Sequence, residues 1–206
     1  MNIALLPKRG QFRLSARLSR HCLYCGLCLL SLTGLPGVAG EWSKAQVNSA
    51  GDPLATESAV TWRQVGRGQM SLLWFELYRA GLFTPSGQYR PGDYPVRLEI
   101  DYLRDIDATD LLKATVEQWQ HLGYTSSAIV RWQRALAGLW PDVQQGQSLA
   151  FDCQSADSGQ FYFNGKPLGT VAEPGFADAF LAIWLSPDTS RPALRAQLLG
   201  EKTCDC

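Results

Sequence analysis

Gln160-Phe161-Tyr162-Phe163-Asn164-Gly165-Lys166-Pro167-Leu168-Gly169-Thr170-Val171 is the stretch whose reading decides the fold. Gln160 to Phe163 alternates polar and aromatic side chains, and Lys166 to Val171 answers it across Asn164-Gly165, the pair best suited to the positive φ angles of a type I′ hairpin. That spacing fixes a two-stranded register. Pro174 then opens a run in which Phe176, Phe180, Ile183 and Trp184 fall at helical spacing, so one face carries large apolar side chains and must be buried. The hairpin therefore has a helix packed close behind it.

Working backwards, Gly146 precedes a strand from Ser148 to Cys153, which Asp157-Ser158-Gly159 turns into the Gln160 strand. Before it lie two helical patterns. In the first, Asp107 caps and Asp110 serves as a capping-box acid, with Leu111, Leu112, Val116 and Trp119 as the buried stripe and an end near Gly123. The second is capped by Thr125 or Ser126, carries Ile129, Trp132, Leu136 and Leu139, and ends at Trp140-Pro141. Pro95 to Leu103 alternates apolar and charged residues, a strand with one wet face.

Further upstream, Val60, Trp62 and Val65 lead into Gly66-Arg67-Gly68, where the chain must bend or bulge. Met70 to Phe83 reads as one long strand buried on much of both faces, so two adjacent strands are expected here. Downstream, Ser190-x-Pro192 starts a short helix to Leu199, stopped by Gly200. The order is strands, two helices, three strands, two helices. It predicts an α+β domain, a mostly antiparallel sheet with helices gathered on one face.

The first forty residues differ from the rest. Lys8, Arg9, Arg13, Arg17 and Arg20, with no acid, precede the apolar run Leu23 to Leu32 and the small-residue site Leu35-Pro36-Gly37-Val38-Ala39-Gly40. That is the layout of a signal peptide, which assigns residues 1–40 to a signal, 41–58 to a polar lead-in, 59–200 to the domain and 201–206 to a tail. The expected location is periplasmic or secreted. A retained N-terminal anchor is the weaker alternative, because the apolar run is short for a membrane span.

Removing residues 1–40 takes five basic and no acidic residues from a chain with 19 of each, which leaves a net charge of −5. Such a body has no electrostatic reason to seek nucleic acid or anionic lipid. Cys22, Cys25 and Cys28 leave with the signal. Cys153, Cys204 and Cys206 remain, one more than a pair, and spacing does not choose the bridge. For Cys204-x-Cys206 the expectation is a frayed tail. His121, in the last turn of its helix, reads as a capping or surface residue.

The sequence contains no G-x-S-x-G, phosphate loop, G-x-G-x-x-G, H-E-x-x-H or EF-hand run. What it does contain, in order, is Tyr102-Leu103-Arg104-Asp105-Ile106, Phe151-Asp152, Phe163-Asn164-Gly165-Lys166-Pro167-Leu168-Gly169-Thr170 and Phe180-Leu181-Ala182-Ile183-Trp184-Leu185. With these motifs the chain resembles the bacterial exported chalcone-isomerase-like family over roughly residues 60–200. The leader and the segment Leu73 to Leu82 agree with that family too.

The resemblance implies an open-faced β-sandwich of chalcone isomerase type, a large curved sheet backed by a helical layer with a cleft between them. In the plant enzymes that cleft closes a ring on a chalcone without a cofactor, and in fatty-acid-binding relatives it holds a carboxylate with an Arg and a Tyr. Carried over residue by residue, Arg67 and Tyr78 are the candidate ligand-binding residues. Close bacterial relatives place an Arg where Gln69 stands here. Asp110 and Glu117 fall where the plant enzymes have a Tyr and an Asn, which argues against the plant reaction.

Two functions follow. One is a cleft for a small apolar or amphipathic, fatty-acid-like molecule, with Arg67 as anion partner and Tyr78 as hydrogen-bond donor. The other is a cofactor-independent isomerase or lyase that stabilises an enolate with the same groups. No cofactor or metal is expected. The plainer alternatives are Arg67 bonding carbonyls at a bulge and Tyr78 as a core aromatic.

Overall fold

Asn164 and Gly165 hold φ angles of 48° and 75°, and around them Phe163 pairs with Lys166, closing the two-residue hairpin that the sequence predicts. The structure, a computed structural model, describes residues 60–72 and 74–206. Residues 1–59, on which the expected signal segment with its three cysteines and the expected lead-in fall, and Leu73 lie outside the described residues. A Cβ added at Gly165 would meet nothing within 4 Å, so strain there is purely conformational. Gly165→Val is therefore expected to cost about 1 kcal/mol or more and to lower the melting temperature; an unchanged melt would contradict the turn.

Six strands form one antiparallel sheet in chain order: β1 Arg63–Leu72, β2 Phe75–Thr84, β3 Val96–Tyr102, β4 Ser148–Cys153, β5 Ser158–Phe163 and β6 Lys166–Ala172. Four helices accompany them: α1 Ala108–His121 and α2 Ser126–Leu136 between β3 and β4, then α3 Phe176–Leu185 and α4 Pro192–Leu198 after β6. In β3, Val96, Leu98, Ile100 and Tyr102 are buried while the residues between them are half-buried or exposed, so its alternating sequence does produce one wet face. The sheet's other face carries the core. There Phe151, Phe161, Phe176 and Phe180 interlock, with ring centroids 4.5 to 6.2 Å apart.

The long strand read from Met70 to Phe83 does not exist as one element. The chain reverses between Leu72 and Phe75, and Gly66-Arg67-Gly68 lies inside β1 rather than between strands. The apolar run misleads because both arms of a hairpin share the same apolar composition. The irregularity expected near the glycines is present as a register shift between Gln64 and Gly66.

α3 also departs from its one-sided reading. Eight of its ten residues are buried, because the sheet lies on one side and α1 on the other, where Trp119 Nε1 donates to the Ala179 carbonyl at 2.9 Å. A helix hydrophobic nearly all round belongs in the middle of a layer stack. Thr125 caps α2 by accepting from the Ala128 N–H, as expected. Asp107 stands at the N-cap of α1, but its side chain makes no capping bond. Instead Asp142, from the segment after α2, accepts from the Ala108 N–H at 2.9 Å, so a tertiary contact replaces the local one.

Candidate functional site

Strand pleating decides which side each candidate residue serves. Gly66 and Gly68 face α4: a Cβ at Gly66 would lie 2.3 Å from the Gln197 carbonyl oxygen, and one at Gly68 would lie 2.5 Å from Leu194 Cδ1. These glycines admit a helix, not a ligand. Arg67, between them, points the opposite way and is exposed, paired in register with Gly81 and through it with Glu99. Burial raises the Glu99 pKa and Asp101 adds to the rise, while Arg97 and, less, Arg67 work against it.

On that same outer face Arg97 grips Asp152 in a bidentate pair, Nε to Oδ1 at 2.5 Å and Nη2 to Oδ2 at 2.7 Å. The guanidinium lies 4.8 Å from the Trp62 ring centroid and 5.5 Å from that of Tyr162. Aromatic rings therefore flank the cation of this ion pair.

Tyr78 stands in register with Met70 and Tyr102, both buried, and so faces the helices. Arg67 and Tyr78, expected to share one cleft, are on opposite faces of the sheet. The cause is the register of β1, which gives the helix-facing positions to the glycines. A single small ligand cannot touch both across a sheet.

The Tyr78 hydroxyl accepts a hydrogen bond from Trp184 Nε1 at 2.9 Å. Burial pushes its pKa up to about 12 against the lowering effects of that bond and of the Arg191 charge. The group is thus a neutral phenol whose own proton has no acceptor among the described residues. Tyr102 packs edge-on at 6.2 Å, its pKa also raised by burial and then by Tyr78. Farther along, Trp140 packs on Phe161 and Phe180, and Phe180 on Trp184. Trp140 is 8% exposed, and its Nε1 has no hydrogen-bond partner among the described residues. An unsatisfied buried N–H is costly, and in a native fold it calls for an explanation.

The Tyr78 side also has a cation. Arg191, at the N-cap of α4, has its N–H on Thr189 Oγ1 at 3.2 Å, and Thr189 in turn donates to the Ile183 carbonyl at 2.6 Å. Trp184 was legible as buried, and an indole needs an acceptor; Arg191 and Trp140 gave no linear signal, since both lie outside regular periodic segments.

Elsewhere, Asp110 is exposed and Glu117 half-buried on α1. His121 is an exposed residue whose Nε2 lies 3.1 Å from the Asp188 carbonyl, which fits the surface reading. In the segment after α4, Cys204 and Cys206 form a disulfide, and Cys153 is a buried thiol pushed up to about 12 by burial. Among the described residues no group of three or more His, Cys, Asp or Glu is placed to hold a metal ion, and no helix is long and apolar enough to cross a membrane.

An open antiparallel sheet with one wet face, backed on the other by helices around an aromatic interior with polar tips, defines an open-faced α+β sandwich. A family model described as chalcone isomerase-like matches residues 63–200, and the chain belongs to that family. A Haemophilus influenzae protein described as uncharacterized is 25% identical over 140 residues, covering 68% of this chain and 69% of that protein. Among solved structures, the fatty-acid binding protein of Arabidopsis thaliana superposes with a TM-score of 0.55 at 11% identity, over 68% of this chain and 87% of that one. That likeness is one of fold.

Proposed function

We propose that this domain binds a small amphipathic molecule of the fatty-acid class between sheet and helices, and that the protein is exported. The observation that carries the reading is a set of polar groups in an otherwise aromatic interior: the Tyr78 phenol, the Tyr102 hydroxyl beside it, and the Trp140 N–H, which has no partner among the described residues. Apolar walls with a few placed donors suit a ligand that is mostly hydrocarbon with one polar end. The chalcone isomerase-like fold and its fatty-acid-binding neighbour support the same class. Export rests on the basic, apolar and small-residue blocks of residues 1–40.

Because Arg67 and Tyr78 lie on opposite faces of the sheet, this reading takes the polar contact to be on the Tyr78 side. The test begins with native mass spectrometry of protein purified from an exporting host, whose mass reports both the chain's start and any retained lipid. Calorimetric titration with a panel of fatty acids then compares wild type, Tyr78→Phe and Arg67→Ala. Tyr78→Phe removes the donor and is expected to weaken binding by about 1 kcal/mol, while Arg67→Ala leaves it unchanged. Binding lost in Arg67→Ala and kept in Tyr78→Phe would place the ligand on the outer face, and no binding by any fatty acid would overturn the reading.

A further inference from the structure

After α4 the chain turns at Gly200, whose φ is 72°, and the tail comes to lie beside Gln69, Glu76 and Arg79. With Gln197 and residues 203–206 these side chains line a polar cleft of about 330 Å³, and the Cys204–Cys206 disulfide sits in its wall. Arg79 is anchored there through Nε to Gln69 Oε1 at 3.2 Å, and Gln197 Oε1 accepts from the Gln69 N–H at 3.3 Å. Cys204 is half-buried and Cys206 exposed.

This disulfide has little to do for the fold. A crosslink stabilises by removing conformations from the unfolded chain, and the effect is smaller the shorter the loop it closes. Here the bonded residues are only two apart, outside any helix or strand. No element is tied to another. A short, accessible bridge of this kind belongs with the labile and catalytic disulfides rather than the structural ones. The third described cysteine cannot take part: Cys153 is 0% exposed, and its thiol donates to the Ser155 carbonyl.

We propose that Cys204–Cys206 is a dithiol–disulfide exchange site that oxidises thiol pairs reaching this cleft, such as those of a peptide with two cysteines. A peptide thiolate attacks the exposed Cys206 Sγ, the Sγ–Sγ bond breaks, and its electron pair leaves on Cys204. The guanidinium of Arg79, lining the same cleft, stabilises that leaving thiolate against the opposing carboxylates of Glu76 and Asp205. The second peptide thiol then attacks the peptide sulfur of the mixed disulfide and releases Cys206. The peptide loses two electrons, and its two thiol protons end on Cys204 and Cys206. A low-molecular-weight disulfide such as oxidised glutathione returns the pair to its starting state. The site lies apart from the proposed lipid interior, so either can fail without the other.

The test uses the full chain and a synthetic peptide carrying two cysteines several residues apart. The oxidised protein is expected to convert one peptide dithiol per disulfide consumed, at least tenfold faster than oxidised glutathione at the same concentration. Cys206→Ser should abolish the reaction, and Arg79→Gln should slow it several-fold with an unchanged melting temperature. Alkylation and mass analysis across glutathione redox buffers should show Cys204 and Cys206 titrating as a pair while Cys153 stays unlabelled. Equal peptide oxidation by wild type and Cys206→Ser would overturn the proposal, as would a pair that never closes in oxidised glutathione. A wild-type rate in Arg79→Gln would overturn the role given to Arg79.

Discussion

Gly66→Ala is expected to destabilise the domain by about 3 kcal/mol, at the upper end of what overpacking costs, because nothing around the new methyl group can yield cheaply. The added Cβ would stand 2.3 Å from the Gln197 carbonyl oxygen, 2.5 Å from that of Leu198 and 2.8 Å from the Gly200 nitrogen, all of them backbone. Accommodating it means lifting the end of α4 off β1, which uncovers Leu194 and Leu198, both buried. Gly81 supplies the control. The atoms nearest a Cβ there all belong to the Phe83 ring, the first at 2.8 Å, and Phe83 is a half-buried side chain on the open face that can swing aside. Urea unfolding of the two variants should separate them clearly, and a Gly66→Ala protein as stable as Gly81→Ala would show that α4 does not dock as described.

The second large effect is expected at Arg97. Arg97→Met removes the cation that Asp152 pairs with, and the Asp152 side chain, 6% exposed, is left with little water to replace it. Breaking such a pair from one side costs about 3 kcal/mol, because a charge stays buried without compensation. Replacing both members by apolar residues should cost less than Arg97→Met alone. Denaturant melts of Arg97→Met, Asp152→Leu and the double variant form the cycle that tests this. If the double variant loses the sum of the single losses, the two residues do not act as a pair.

Arg97 also marks how far the sequence could be read. Alternation in Val96 to Tyr102 placed Arg97 on the wet face, and the pleat put it there. That Trp62 and Tyr162 flank it, from the start of the domain and from β5, depends on strand order, which no local pattern encodes. The Asn164-Gly165 turn, by contrast, was determined locally. Its two positive φ angles are a property of two adjacent residues and of nothing else in the chain.

By itself, then, the sequence determined the features whose physics is short-range: the hairpin, the Thr125 cap, the alternation in β3, the apolar stripe of α2, and the ordered motifs that carry the family resemblance. Tertiary structure decided the rest. The reversal at Leu72–Phe75 was hidden because two antiparallel arms of like composition read as one strand. Gly66 and Gly68, which read locally as a bend or bulge, leave room for α4, and their register turns Arg67 to the opposite face from Tyr78. A side chain's face follows from parity along its strand, but what occupies that face follows from which distant element packs there, and for Tyr78 those elements are α3 with Trp184 and the start of α4 with Arg191.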